Sequence, residues 1–173
     1  WELNQRDHRK LLVVDGRTAF LGGINISSVY SGGSRRVAKT PPTEDSLAWR
    51  DTDLQLQGPV VAELQKLFLA TWEAQKGPPL AAKNYFPPPE RVGQQVVRAI
   101  GSSPDEPFSQ IYATLLSAIG SAETSVRITN AYFAPDPQLL AALKAAAARG
   151  VDVTLILPSQ TDSWLVFHAG RRY

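Results

Sequence analysis

His8, Lys10 and Asp15 fall into the pattern H-x-K-x4-D, and the spacing continues as x6-Gly22-Gly23-x-Asn25. An imidazole can attack phosphorus or pass a proton to a leaving oxygen. An ammonium two residues on neutralises anionic oxygens, and an asparagine amide donates to them. A glycine pair lets backbone come close to a bound group, because no Cβ intervenes. Together these residue types point to a site that holds a phosphodiester.

Elements must bring these residues together. After His8 comes Leu11-Leu12-Val13-Val14, a short apolar run that reads as a buried strand. Residues two apart on a strand share a face, so His8 and Lys10 point the same way and Arg9 points away. Asp15-Gly16 is a hairpin signal, and residues 17–21 read as the returning strand. By parity Asp15 sits at the strand end on the face opposite His8 and Lys10, where a turn role suits it.

These residues resemble the phospholipase D superfamily, and more closely its bacterial cardiolipin synthase branch. The resemblance runs through Leu3-Asn4, Arg6 and His8 to Gly16, then Gly22-Gly23-Ile24-Asn25 and Trp49-Arg50-Asp51-Thr52, into Gly58-Pro59-Val60-Val61-Ala62-Glu63-Leu64. It resumes at Thr129-Asn130-Ala131-Tyr132-Phe133-Ala134-Pro135-Asp136 and at Leu157-Pro158-Ser159, Thr161-Asp162-Ser163, which look like the opening of the family's second repeat. The implied fold is α/β, a phospholipase D-like mixed-sheet sandwich with parts of two repeats. Residues 1–76 would be the C-terminal half of the first repeat, 77–93 a proline-rich linker, and 94–173 the N-terminal half of the second.

Family members carry two such motifs and form the active site between them. This chain has one: His168 is followed by Gly170 where lysine is needed, so His168 is expected to be an ordinary helical residue. The chain is therefore expected to be an internal piece of a longer protein, or its ordered part, and inactive alone. The resemblance makes His8, Lys10, Asp15 and Asp51 the catalytic set, with Gly22, Gly23 and Asn25 binding substrate. Asp51 would pair with the histidine, as imidazole catalysis needs a carboxylate to fix its tautomer; Asp53 is the alternative. Gly23 stands where many superfamily members have serine. No cofactor and no metal is implied, because lysines take the place of a divalent cation.

The implied reaction passes a phosphatidyl group to an alcohol through a phosphohistidine. The expected partners are a phospholipid, above all phosphatidylglycerol, and a membrane surface met peripherally, on the cytoplasmic side of a bacterial inner membrane. The second motif would come from the rest of the chain or from another copy. Water as acceptor would make the enzyme a phospholipase D. A nuclease-type phosphodiesterase completed by a homodimer is one alternative, and a non-catalytic lipid-binding remnant is another.

Composition fits a piece of a globular protein. In 173 residues, 43% are hydrophobic and 20% charged, with a net charge of +2. That balance argues against nucleic acid as a partner, since a nuclease needs a basic stripe. The absence of cysteine excludes disulfides and thiolate metal sites. No run approaches the eighteen or so apolar residues that span a bilayer.

Elsewhere the readings are architectural. Residues 31–48, with Arg35, Arg36 and Lys39, read as a long loop, either a flexible excursion or a segment that gates substrate or faces lipid. Residues 52–57 alternate as a half-buried strand. Gly58-Pro59 opens a helix whose stripe is Val60, Val61, Leu64, Leu67, Phe68, Thr71 and Trp72. Tyr85-Phe86 should anchor the linker. A second stripe runs from Phe108 through Ile111, Tyr112, Leu115 and Leu116 to Ile119. Strands are expected at 126–130 and 151–157 around a helix begun by Pro135-Asp136 and capped by Gly150. Asp162 or Ser163 would cap a last helix.

Overall fold

Asp15 and Gly16 reverse the chain. Both take positive φ, +54° and +64°, and the Arg17 N–H donates to the Val14 carbonyl at 3.0 Å. That sign pattern belongs to a mirror-image turn, whose twist matches a right-twisted hairpin. A side chain at Gly16 would also lie 2.7 Å from the Tyr85 carbonyl oxygen. The hairpin chemistry expected of Asp-Gly is therefore present, and the glycine is required twice over.

The computed structural model describes residues 8–26, 51–102 and 107–157. The chain divides into two units, residues 1–101 and 102–173. Both are mixed α/β with small sheets. The expected loop at 31–48, the last helix and His168 lie outside the described residues.

In the first unit, β1 (Leu11–Val14), β2 (Thr18–Gly22) and β3 (Asp53–Gln57) form an antiparallel sheet in the order β1-β2-β3. The pairing sets Leu11 opposite Leu21 and Gly22 opposite Asp53. Helix α1 (Val60–Ala74) covers one sheet face. Its Val61 and Leu64 meet buried Ala19, with Leu11, Val13, Leu21, Leu56, Leu67 and Ala99 packed around them. Among the described residues no helix covers the opposite face, where Leu12 is 58% and Val14 42% exposed.

The α1 stripe is narrower than its periodicity implies. Val60, Val61 and Leu64 are buried, whereas Phe68 is 39% exposed and stacks on Trp72, ring centroids 6.1 Å apart. The helix ends with Lys76 at φ +54°, the Lys76 N–H on the Glu73 carbonyl and the Gly77 N–H on the Trp72 carbonyl. This is a Schellman termination in which lysine takes the position that glycine usually fills. Gly77 then crosses the Trp72 indole, whose Nε1 donates to the Pro78 carbonyl at 2.9 Å.

The proline-rich stretch lies along this unit. Tyr85 is half-buried and Arg17 bridges Glu90 at 2.8 Å, while Phe86 is exposed. Of the expected aromatic anchor, Tyr85 is the half that packs.

In the second unit, α2 (Gln110–Ser121), β4 (Ser125–Thr129), α3 (Pro137–Ala148) and β5 (Asp152–Ile156) follow in order, and β4 pairs with β5 in parallel. Ile119, Phe133, Leu143, Ala146 and Val151 make the core. Phe108, Ile111 and Leu115 of the expected second stripe are exposed, so only its Ile119 end is buried. Gly150 caps α3 at φ +91° as expected.

The segment between β4 and α3 is built from local bonds. The Asn130 side chain accepts from the Tyr132 N–H at 3.0 Å, Phe133 turns into the core, and Asp136 caps α3 through the Leu139 N–H at 2.8 Å. The Tyr112 hydroxyl of α2 also donates to Asp136, at 2.6 and 2.5 Å to its two oxygens.

Asp136 and its two donors are expected to make the unit sensitive to pH at both extremes. The Leu139 N–H, and next the Tyr112 hydroxyl, hold the Asp136 carboxyl below the ordinary aspartate value. The same hydrogen bond, above all, pushes the Tyr112 phenol above its ordinary value. A depressed carboxylate stabilises above its unfolded pKa, and that contribution goes as pH falls through the folded one. A raised phenol stabilises below its unfolded pKa, and that contribution goes as pH rises through the folded one. Melting temperatures are thus expected to fall below the aspartate range and again above the tyrosine range. Tyr112→Phe should flatten the alkaline limb but spare most of the acid one, because the Leu139 N–H still holds Asp136. Identical alkaline limbs in the two proteins would refute this assignment.

Candidate active site

Antiparallel pairing gathers three chain segments at one end of the first sheet. His8 and Lys10 lie just before β1, the end of β2 leads into Gly22-Gly23-Ile24-Asn25, and β3 begins after Asp51-Thr52. The hairpin turn lies at the other end. Residues about thirty apart in sequence thus become neighbours because alternate strands start where their partners stop.

The two motif residues fall on the open side of the sheet. Arg9, between them, donates from Nη1 to the Thr71 hydroxyl of α1 at 2.8 Å and so marks the covered side. His8 and Lys10 share the parity of exposed Leu12 and Val14. His8 is exposed and Lys10 half-buried, with its ammonium donating to the His8 carbonyl at 2.5 Å. Among the described residues, no carboxylate is hydrogen-bonded to the His8 imidazole.

Asp15 stands apart from them. It occupies the hairpin turn, and the seven residues from His8 correspond to about 23 Å of extended chain. There it takes positive φ, which helps to bring β2 back beside β1.

The glycine pair is backed by protein. A Cβ at Gly22 would lie 1.7 Å from Asp53 Oδ1 and 2.4 Å from the Thr52 carbonyl oxygen. A Cβ at Gly23 would lie 2.1 Å from Asp51 Oδ1 and 2.4 Å from its Cγ. Two carboxylates thus occupy the room the missing side chains leave. The Gly23 N–H donates to the Thr52 carbonyl at 3.3 Å, and the Ile24 N–H donates to Asp53 Oδ1 at 3.3 Å. Asp51 Oδ1 accepts from the Thr52 N–H at 2.9 Å, and Asn25 is exposed just beyond.

Six of the seven candidate residues therefore gather at one sheet end, and Asp15 does not. Asp53, weighed only as an alternative acid, is the residue whose contacts sequence reasoning missed. The Asp-x-Asp spacing at the head of a strand was the available signal, but it does not reveal which strand it faces. Among the described residues, no group of three or more His, Cys, Asp or Glu side chains could hold a metal ion. Nor, among them, is any helix long and apolar enough to cross a membrane.

Comparison with known proteins bears on both units. A family model described as Cardiolipin synthase, PLD-like domain matches residues 115–173. A cardiolipin synthase of Geobacillus kaustophilus is 37% identical over 174 residues, covering 99% of this chain and 33% of its own length. A cardiolipin synthase A of Pseudomonas fluorescens is 39% identical over 175 residues, covering 100% and 34%. A cardiolipin synthase 2 of Bacillus cereus is 36% identical over 174 residues, covering 99% and 32%. The chain thus spans about a third of the length of these relatives. No solved structure matches it.

Proposed function

We propose, from the chain's place in the phospholipase D superfamily and its cardiolipin synthase-like branch, that it supplies half of a phosphatidyl-transfer site. The observation that carries the reading is the meeting of His8, Lys10 and the 22–25 segment at one end of the sheet, on the face that α1 does not cover. In this proposal the other half comes from a second motif in a longer chain or in another copy. The two units then belong to the paired-repeat sandwich typical of the superfamily, with residues 77–93 joining the repeats.

A phosphodiester repels nucleophiles because its non-bridging oxygens share a negative charge. Lys10 turns its ammonium from the His8 carbonyl toward those oxygens, and Asn25 adds an amide donor. In the first step an imidazole nitrogen bonds to phosphorus while the bond to the leaving alkoxide breaks. The facing imidazolium protonates that oxygen. In the second step an acceptor hydroxyl attacks phosphorus, gives its proton to the now neutral facing imidazole, and the phosphorus–nitrogen bond breaks. In this proposal Asp51 is the carboxylate that stabilises the His8 cation.

With phosphatidylglycerol as both donor and acceptor, the products are cardiolipin and glycerol. Such a substrate brings the site to a lipid surface. The test is headgroup transfer on labelled phosphatidylglycerol vesicles, using the full-length protein that carries this sequence and, separately, the 173-residue chain. Cardiolipin and glycerol in equal amounts from the former and none from the latter is the expected result. Lipid left intact by both, with nucleic acid cleaved instead, would overturn it.

A further inference from the structure

We infer that Asp53 is a positioning residue, a carboxylate clamp that holds the β2 end so that Asn25 is presented to the phosphate. The inference rests on the functional reading above in one respect, that Asn25 meets substrate.

The argument starts from register. Gly22 pairs with Asp53, the first residue of β3, so the ladder runs out where the functional segment begins. Beyond that point, among the described residues, the backbone of residues 23–25 has no strand partner to keep it in place. Two bonds replace the ladder. The Thr52 carbonyl receives the Gly23 N–H, and Asp53 Oδ1 receives the Ile24 N–H, both at 3.3 Å. The carboxylate reaches the second donor by passing over Gly22, where any Cβ would collide with it at 1.7 Å. Gly22 is therefore the passage that lets Asp53 reach across.

Asp51 lies beside it, over Gly23, and is held by the Thr52 N–H. The two aspartates differ in what they control. Asp51 bonds within its own segment, whereas Asp53 bonds to the neighbouring one, one residue before Asn25. A bond from a backbone amide to a charged acceptor is stronger than one to a neutral acceptor, which suits an exposed clamp. Loss of the Asp53 oxygen frees Ile24 and lets the Asn25 amide wander from the position where it would stabilise charge.

The test uses the full-length protein with Asp53→Ala, Asp53→Asn and Asn25→Ala, alone and combined, at melting temperatures shown to match the parent. Asp53→Ala should lower transfer about tenfold, and Asp53→Asn, which keeps Oδ1 as acceptor, should stay within about twofold. In the Asn25→Ala background, Asp53→Ala should cost no more than about twofold, because both changes remove the same contact. A tenfold cost that persists in that background would overturn the clamp, as would wild-type rates in Asp53→Ala or a tenfold loss in Asp53→Asn.

Amide exchange at Ile24 in the 173-residue chain separates this inference from the functional reading. Exchange about fivefold faster in Asp53→Ala supports the clamp even where no lipid is turned over, and unchanged exchange refutes it.

Discussion

If the proposed phosphatidyl transfer is the activity, His8→Ala in the full-length protein is expected to lower it by about 10^4-fold or more. The size follows from what the imidazole does in the proposed mechanism. As the nucleophile it forms the bond that divides one difficult displacement into two easier ones, and alanine offers no substitute. As the general acid it protonates an alkoxide whose departure is otherwise very slow. The two roles separate with the leaving group. With a donor lipid carrying an acidic phenol in place of glycerol, the phenolate departs without needing a proton, so this donor should restore His8→Ala by about 10^2-fold or more if His8 is the acid. No restoration means His8 is the nucleophile, and labelled phosphatidyl-enzyme should then accumulate on wild type but not on the variant. Because His8 is exposed and outside the core, the melting temperature should hardly change. A variant retaining a tenth of wild-type activity would end the proposed mechanism.

The second large effect is on stability. Leu64→Ala should destabilise the first unit by about 2–5 kcal/mol, read as a lower urea midpoint. Leu64 is 3% exposed and, among the described residues, forms a small buried cluster with Ala19 and Val61. With so few buried neighbours, a cavity there takes a large share of a stability that is of order 5–15 kcal/mol for an ordinary domain. Phe68→Ala, one turn farther along α1, removes a larger side chain that is 39% exposed and should cost clearly less. Equal losses at the two positions would show that the helix packs in another rotation from the one described.

The contrast between Leu64 and Phe68 also shows what could be read from residue order. Local chemistry was legible. Asp15-Gly16 announced the turn, Gly150 the end of α3, and the three-four spacing of residues 60–72 announced α1. The width of a buried stripe was not, because periodicity tells which face is apolar and not how much of it meets a partner. Phe108, Ile111 and Leu115 have helical spacing as good as that of α1, yet they are exposed.

The site divides along the same line. His8, Lys10, Gly22, Gly23 and Asn25 were recognisable by type and spacing within one hairpin. What fills the glycine pair was not, since Asp51 and Asp53 lie about thirty residues downstream and only strand register brings them opposite. Parity did place Arg9 on the side away from Lys10, and its bond to Thr71 agrees.

The tight turn at Asp15-Gly16 also orders the events by which this site comes into being. A hairpin with so short a connection closes on a timescale of about 1–10 μs. The start of β1 and the end of β2, with the motif's basic and amide groups, therefore meet early. The third strand must first close a loop of about thirty residues, at roughly 2 kcal/mol more in chain entropy than the hairpin requires. The two aspartates thus arrive on a surface that is already formed, and nascent chains should gain the β1–β2 pairing before either carboxylate reaches its glycine.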